Sequence, residues 1–447
     1  MTTSLVENRP IPTVPGVPLL GNGLHMMGDI QAFFLENYQR FGPVFKARAL
    51  QQQFTILAGV EANRLLRDHG ETLFTSVESM GGLAREFNMR VHVLEGEAHT
   101  HLRAILGKGL SPDVLTSGWD RFLAATERHI ADWKPGMPIA VVDMFQRLAS
   151  DQLSVLLGSR SSAPYFPQLR FIFELMLEAT LARKWPLAVL RLPPYRRAKA
   201  SVEAFIRAVA DEHRAHPPDQ DRPADMVDLA LSARNEHGTP YPEATQLGMI
   251  KQAYFAGINT VAYLCSFALY AFLTNPEAQT RILTEVDKLF VDGMPPLEHL
   301  RQSKTLRNWI MESLRMYPPA PASSRTVKTD FRFEGHHIPA GTQVLVAVST
   351  PHFLPEFFPH PERFDLSREN FYENRGLGAY APFSLGAHTC LGQNLGQLQA
   401  MVTLAILLWR FRLELTSPGY RLRIQAAPGP HPDRGFKVVA REIAPKA

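Results

Sequence analysis

Cysteine is nearly absent. Cys265 and Cys390 are the only two in 447 residues, so a disulfide framework and the paired-cysteine zinc spacings are excluded. An excess of one charge is missing as well. Lys and Arg number 47 against 43 Asp and Glu, a net charge of +4. So small an excess, without basic runs, excludes a chain that wraps nucleic acid. It leaves room for a local basic face toward an acidic protein. Residues 1–9 hold no apolar run and no cleavage signature, and the expectation is a cytoplasmic chain without a secretion address. No internal repeat or low-complexity linker is present. Apolar residues at 45% and charged residues at 20% exclude a disordered, collagen-like or coiled-coil chain.

One stretch lacks charge altogether. Between 252 and 276 no Asp, Glu, Lys or Arg occurs, and 254–273 is almost wholly apolar. A window of about twenty such residues suffices to cross a membrane. Gly257, Asn259, Thr260 and Ser266 interrupt it, however, and no second span accompanies it. A helix apolar on all sides is also what the centre of a large protein requires, so no membrane span is expected.

Along the chain, a Pro-rich lead-in occupies 1–22, with its prolines and glycines in 9–22. Helical patterns follow at 30–40 and 61–69, with strand character at 44–48 and 54–57. Residues 76–92 carry Gly81-Gly82 and read as a loop with a short helix. Helices are expected over 122–133, 144–157, 166–182, 199–216 and 225–235, then in the long uncharged run, which ends near Thr274. Asn275-Pro276-Glu277 reads as an N-cap, a proline at the first helical position and an early acid. Helix 305–316 stops at Pro318-Pro319. Short strands at 331–333 and 343–348 precede a last helix over 391–411. The fold class is therefore mainly α with small β-sheets. One domain over 1–447 is expected, with a β-containing part at about 40–60 and an α-rich remainder.

The segment 383–392 is the most informative. It runs Phe383-Ser-Leu-Gly386-Ala-His388-Thr-Cys390-Leu-Gly392. Cys390 stands just before a helix, whose unpaired N–H groups favour a thiolate. Gly386 permits a tight turn, and Gly392 removes a side chain where a flat group would approach. A lone thiolate among glycines suits a metal already held by another scaffold, such as haem. Taken alone, Cys390 reads better as a plain loop cysteine.

This segment resembles the cysteine loop of the cytochrome P450 haem-thiolate enzymes, with His388 where most members carry Arg. Three further motifs stand in the family's order. Glu312-Ser-Leu-Arg315, with Pro361-Glu-Arg363-Phe364 further on, resembles its structural Glu–Arg–Arg triad of Glu312, Arg315 and Arg363. Ala256-Gly257-Ile-Asn259-Thr260 resembles its oxygen-binding helix, with Asn259 in place of the usual acid. His99-Thr-His-Leu-Arg103 and Arg325 resemble its haem-propionate contacts. Ala256 and Thr260 share a helical face, as do His99 and Arg103. A mid-helix glycine costs about 1 kcal/mol against Ala; close approach of a haem plane and dioxygen, a kink around the Thr260 hydroxyl and plain core packing are the candidate reasons for Gly257.

The resemblance implies a triangular haem domain, with the haem-binding loop at 383–392 and Cys390 as axial ligand of haem b (iron protoporphyrin IX). Phe383, Gly386, His388 and Gly392 complete that loop. Thr260 and Asn259 are the expected catalytic pair, with Asn259 leaving proton delivery open. The implied reaction inserts one oxygen atom of O2 into a largely apolar substrate. Electrons would come from a ferredoxin or flavodoxin with an NAD(P)H-dependent reductase, because no flavin or iron–sulfur motif occurs here. Lys108, Arg301, Lys304 and Arg307 are the expected basic contacts, and the chain is expected to be a monomer. A peroxide-using or hydroperoxide-rearranging enzyme, motivated by Asn259, and a non-catalytic haem-thiolate sensor are the alternatives. The substrate pocket is expected to involve Met80, Leu83, Phe87, Phe171, Phe173, Leu175, Met176, Trp185 and Ala322.

Overall fold

A computed structural model describes residues 9–220, 222–426 and 429–442, with all side chains there except those of 253, 256 and 442. Helices dominate. The Glu243–Thr274 helix runs through the centre and packs against Val141–Gly158 and Gln393–Arg410. It is long and apolar enough to cross a membrane, but its apolar window is 76% buried in the protein, as befits a core helix.

The Val141–Gly158 helix is also buried almost all round, polar Ser150, Asp151, Gln152 and Ser154 included. Such groups are tolerated only with partners. Gln152 Nε2 donates to Thr126 Oγ1 at 2.9 Å and Thr403 Oγ1 at 3.1 Å, and its Oε1 accepts from Gln399 Nε2 at 3.0 Å. One amide thus ties three helices together. Trp309 Nε1 donates to the Ala268 carbonyl at 2.9 Å, pinning the Lys304–Met316 helix to the central one.

The main sheet has five strands, in the order Val44–Ala49, Gln52–Ala58, Gln343–Ala347, Ser323–Val327, Phe74–Thr75. Only the Gln52–Ala58 and Gln343–Ala347 pair is parallel. Arg325 lies opposite Val344 in this sheet, a rigid placement for a buried cation. The Pro-rich lead-in adds single bridges from Thr13 to Lys46 and from Gly21 to Ala49.

Several expectations change. Residues Val77–Phe87 form a full helix in spite of Gly81-Gly82. A Cβ at Gly82 would stand 3.0 Å from Thr180, so this glycine lets two helices approach. The helix expected at 225–235 is confined to Met226–Leu231. Asn275 stands at the N-cap of the Pro276–Leu289 helix, with Pro276 leading and Glu277 in the first turn as expected, but its side chain makes no capping bond. Its Nδ2 donates back to the Ala271 carbonyl at 2.7 Å instead. Phe171 and Trp185 are exposed, at 40% and 45%, whereas Phe87 and Phe173 lie in the core.

Candidate active site

The 383–392 loop is held from both sides. Gly386 has φ +72°, and a Cβ there would lie 2.9 Å from the Arg67 carbonyl oxygen, so only glycine fits. The Cys390 N–H donates to the Phe383 carbonyl at 3.0 Å, and Thr389 Oγ1 donates to that of Gly386 at 2.7 Å. Arg103 donates to the Thr389 carbonyl. Cys390 is exposed, whereas Cys265 is buried. Nothing stands within 4 Å of where a Gly392 Cβ would be. Surrounding protein pushes the Cys390 thiol pKa up, while the Gly392 N–H and Arg103 pull it down. Burial raises the Cys265 thiol far above its usual value, which leaves it inert in the core.

Glu312 is fully buried and accepts four hydrogen bonds. Arg315 gives two, Nε to Oε2 at 2.7 Å and Nη2 to Oε1 at 2.8 Å. The third comes from Arg368 Nε at 3.1 Å and the fourth from the Asp365 N–H at 3.0 Å. The second arginine of the triad is therefore Arg368 and not Arg363. The Arg363 side chain is 72% exposed beside Glu362. It contributes only its carbonyl, which accepts from Arg315 Nη2 at 3.0 Å. Both arginines follow the same Pro361-Glu362 turn, and sequence spacing alone does not separate them.

The triad reaches the cysteine loop through a residue the motifs do not mark. The His352 carbonyl accepts from Arg315 Nη1 at 2.9 Å, and His352 Nε2 accepts from the Ala381 N–H at 2.9 Å. Burial pushes the His352 pKa down to about 3, so its ring is neutral and can accept. Tyr380 OH donates to the Met311 carbonyl at 2.8 Å, a second tie to the Lys304–Met316 helix.

Five basic groups gather on the other side of the loop. Arg325 is 7% exposed, and among the described residues its guanidinium donates to the neighbouring Ser324 carbonyl at 2.8 Å. Burial pushes its pKa down to about 10. The His99 and His388 rings lie 4.3 Å apart. Burial, then Arg325, His99, Arg103 and His92, hold the His388 pKa down to about 3. His92 is pushed to about 4 by burial, Arg103, Arg325 and His99. His99 is buried with neither ring nitrogen hydrogen-bonded, and Glu71 stands 3.7 Å away. Arg325 and Arg103 beside an imidazole whose ring nitrogens have no hydrogen-bond partner form a site for an anion.

On the central helix, Thr260 is exposed between buried Asn259 and Val261. Asn259 Oδ1 accepts from Gln146 Nε2 at 2.9 Å, and Gln146 also donates to Glu174 Oε1 at 3.1 Å. Asn259 Nδ2 is buried without a partner. Asn259 is thus turned toward the Val141–Gly158 helix. Gly257 is likewise a packing residue, since a Cβ there would stand 2.5 Å from Leu153 Cδ1. Close contact with the Val141–Gly158 helix accounts for this glycine. The Ala256 side chain lies outside the described residues.

A protein-family model described as Cytochrome P450 matches residues 11–429. Among curated proteins, the chain is 25% identical to "Putative cytochrome P450 120" of Synechocystis sp., over 98% of this chain and 99% of that protein. Among solved structures, "Crystal structure of cytochrome P450DA heme domain" matches with a TM-score of 0.86 at 21% identity, covering 98% of this chain and 99% of that one. "Retinoic acid bound cyanobacterial CYP120A1" matches with a TM-score of 0.81 at 24% identity, covering 97% and 100%.

Proposed function

The chain belongs to the cytochrome P450 family, and from that premise we propose a monooxygenase for largely apolar organic substrates, reduced by a separate acidic ferredoxin or flavodoxin. Membership makes it an oxidoreductase that carries haem on a cysteine thiolate. Bound haem supplies the activation of dioxygen, from which one oxygen atom enters the substrate.

The residues present fit that group. Cys390 is the accessible thiol, on a loop braced by Arg103 and by the Glu312–Arg315–His352 chain. Arg325, Arg103 and the orphaned His99 ring would hold the carboxylate side groups of haem, with His388 beside them. Thr260 would donate its hydroxyl hydrogen bond within the site. Asn259 is held by Gln146 and has no titratable proton of its own.

The substrate reading rests on the apolar side chains that the Val77–Phe87 and Phe166–Thr180 helices bring against the central helix, an aromatic cluster packed ring to ring. Phe255 of the central helix lies 4.7 Å from Phe87 and 5.0 Å from Phe173, the latter ring stacked at 8°. Leu83 and Met176 are buried nearby in the same core. Apolar walls penalise unpaired polar groups and so select apolar ligands.

The electron-donor reading rests on Arg301, Arg307 and Arg375, which border a hollow of about 180 Å³ beside Phe383 and Ser384. Lys304 is paired with Glu369 and Arg301 with Glu298, so Arg307 and Arg375 carry most of the attraction. Apolar ligands should shift the optical spectrum of the haem-loaded protein and be oxygenated when partners supply electrons. Reduction should slow as salt rises, because exposed charges are screened over ~8 Å at physiological salt. No spectral response to any apolar ligand, or a salt-independent rate with every acidic donor, refutes the corresponding half.

A further inference from the structure

One connector is exposed along almost its whole length. Residues 181–188 are all exposed, and so are 191–194. Within it Leu181, Trp185, Leu187 and Leu192 are 41%, 45%, 59% and 54% exposed. A single exposed apolar side chain needs no explanation, but four so close together form a patch. Leu190 packs against the core, so the short Leu187–Arg191 turn lies along the surface. Trp185 has two characters. Its Nε1 donates to Glu178 Oε2 at 2.9 Å, which satisfies the polar edge and leaves the ring open.

The charge around this patch has one sign. Between 179 and 202 there are six Lys and Arg and no Asp or Glu. Lys184 is paired with Glu178 and Lys199 with Glu86, both at 2.7 Å. Arg183, Arg191, Arg196 and Arg197 are exposed and have no ion pair among the described residues.

A second apolar patch lies near the start of the chain. Leu19, Leu24, Met27 and Leu50 are 85%, 65%, 59% and 58% exposed. Leu19 and Leu50 have φ +64° and +55°, a left-handed backbone that a bulky residue adopts only at a cost. The Leu50 N–H donates to the Leu20 carbonyl at 3.1 Å, which holds the two tips together. The Gly23–Gly28 helix packs against Ile424–Gln425, and Gln425 and Lys184 border one hollow. The two patches therefore stand at the rims of the same hollow. Its carboxylates are already paired, Asp143 with Arg147 and Arg170, Glu174 with Arg170, and Glu178 with Lys184.

We propose that this side of the protein rests on the surface of an anionic lipid bilayer. Trp185, Leu187, Leu192 and the Leu19 and Leu24 tips would sit among the headgroups, with the four unpaired arginines against the lipid phosphates. Trp and Leu interspersed with cations is the composition of an interfacial segment. Side chains that project singly from tips also need a partner that yields around them. A lipid surface does so, whereas a folded protein needs a matching pocket for each.

The test is co-sedimentation of the haem-loaded full chain with vesicles of phosphatidylcholine, alone or with about one-third phosphatidylglycerol. Each cation near an anionic surface contributes about fivefold, so the mixed vesicles should bind more than tenfold tighter, and salt should weaken that binding. Arg191→Gln with Arg196→Gln should lose about tenfold or more on the mixed vesicles. Trp185→Ser with Leu187→Ser, and Leu19→Ser with Leu24→Ser, should each lose about tenfold. Val291→Ser, at an apolar residue 65% exposed on another element, should bind as the wild type does. Tryptophan emission should shift to shorter wavelength on the mixed vesicles, and Trp185→Phe should lose that shift.

Thermal melting of each variant checks that the fold survives. No binding to either vesicle, equal binding to both, or wild-type affinity in either apolar pair would overturn the proposal. So would an arginine pair variant that binds vesicles normally but is reduced more slowly by a ferredoxin, because the face would then be a protein interface.

Discussion

Replacing Arg368 and Arg363 by alanine, one at a time, separates two accounts of the same motif. Arg368 is buried and gives Glu312 Oε1 a bond of 3.1 Å. It also donates to the Pro359 and His360 carbonyls at 2.8 and 2.9 Å. Its loss leaves part of a buried carboxylate and two carbonyls without donors. Breaking one side of a buried pair costs about 3–5 kcal/mol. Arg363 is 72% exposed, with Glu362 at 3.7 Å, and exposed pairs contribute about 0–1 kcal/mol. Its backbone carbonyl, the part Arg315 uses, survives the substitution. Net stabilities run to about 5–15 kcal/mol, so Arg368→Ala should forfeit a large fraction of the total. The assay is urea unfolding of purified protein, with haem content measured alongside. Arg368→Ala should unfold at much lower urea and lose haem, as should Glu312→Ala. Arg363→Ala should match the wild type to within about 1 kcal/mol. Because Glu312 and Arg368 touch, their double variant should cost less than the two losses added. Equal damage from both arginine variants, or a silent Arg368→Ala, would refute the assignment.

Cys390→Ala should abolish the red-shifted Soret band that a thiolate-ligated haem shows in its reduced carbon-monoxide complex, whereas Cys265→Ala should keep it; the reverse would move the axial ligand. His213 should make stability depend on pH. Burial works to lower its pKa, but the Asp225 Oδ2 bond at 3.0 Å and the Asp225 charge raise it above its usual 6.5. The stabilisation is thus complete below pH 6.5 and is lost as pH climbs through the raised folded value. Melting temperatures of the wild type and His213→Gln should converge on that climb, and a constant gap would sink the idea. Thr260→Ala should uncouple partner-driven NAD(P)H use from product, and Asn259→Asp should improve coupling by adding a titratable group, with peroxide-supported turnover much less changed. Positioned proton donors contribute ~10²–10⁴-fold, so an impaired Asn259→Asp beside an unaffected Thr260→Ala would show that neither residue relays protons.

What the chain displayed in advance was local. The uncharged run became the central helix, because an apolar surface on every side leaves a segment nowhere else to go. The 383–392 loop was legible because Gly386 and Cys390 are specified by turn chemistry within ten residues. The features that stayed hidden depend on partners distant in sequence. Gly257 left three reasons open, and only the folded chain shows Leu153 against the place of its Cβ. Gly81-Gly82 signalled a loop, but packing against Thr180 outweighs the weak helix propensity of glycine there. Asn275 had the sequence context of a cap, and its amide found the Ala271 carbonyl first. His352 belongs to no motif, and only the folded chain brings its backbone to Arg315 and its ring to Ala381. The same reasoning explains why Arg363 misled. A motif records which residue type stands near the turn, whereas burial decides which guanidinium reaches Glu312.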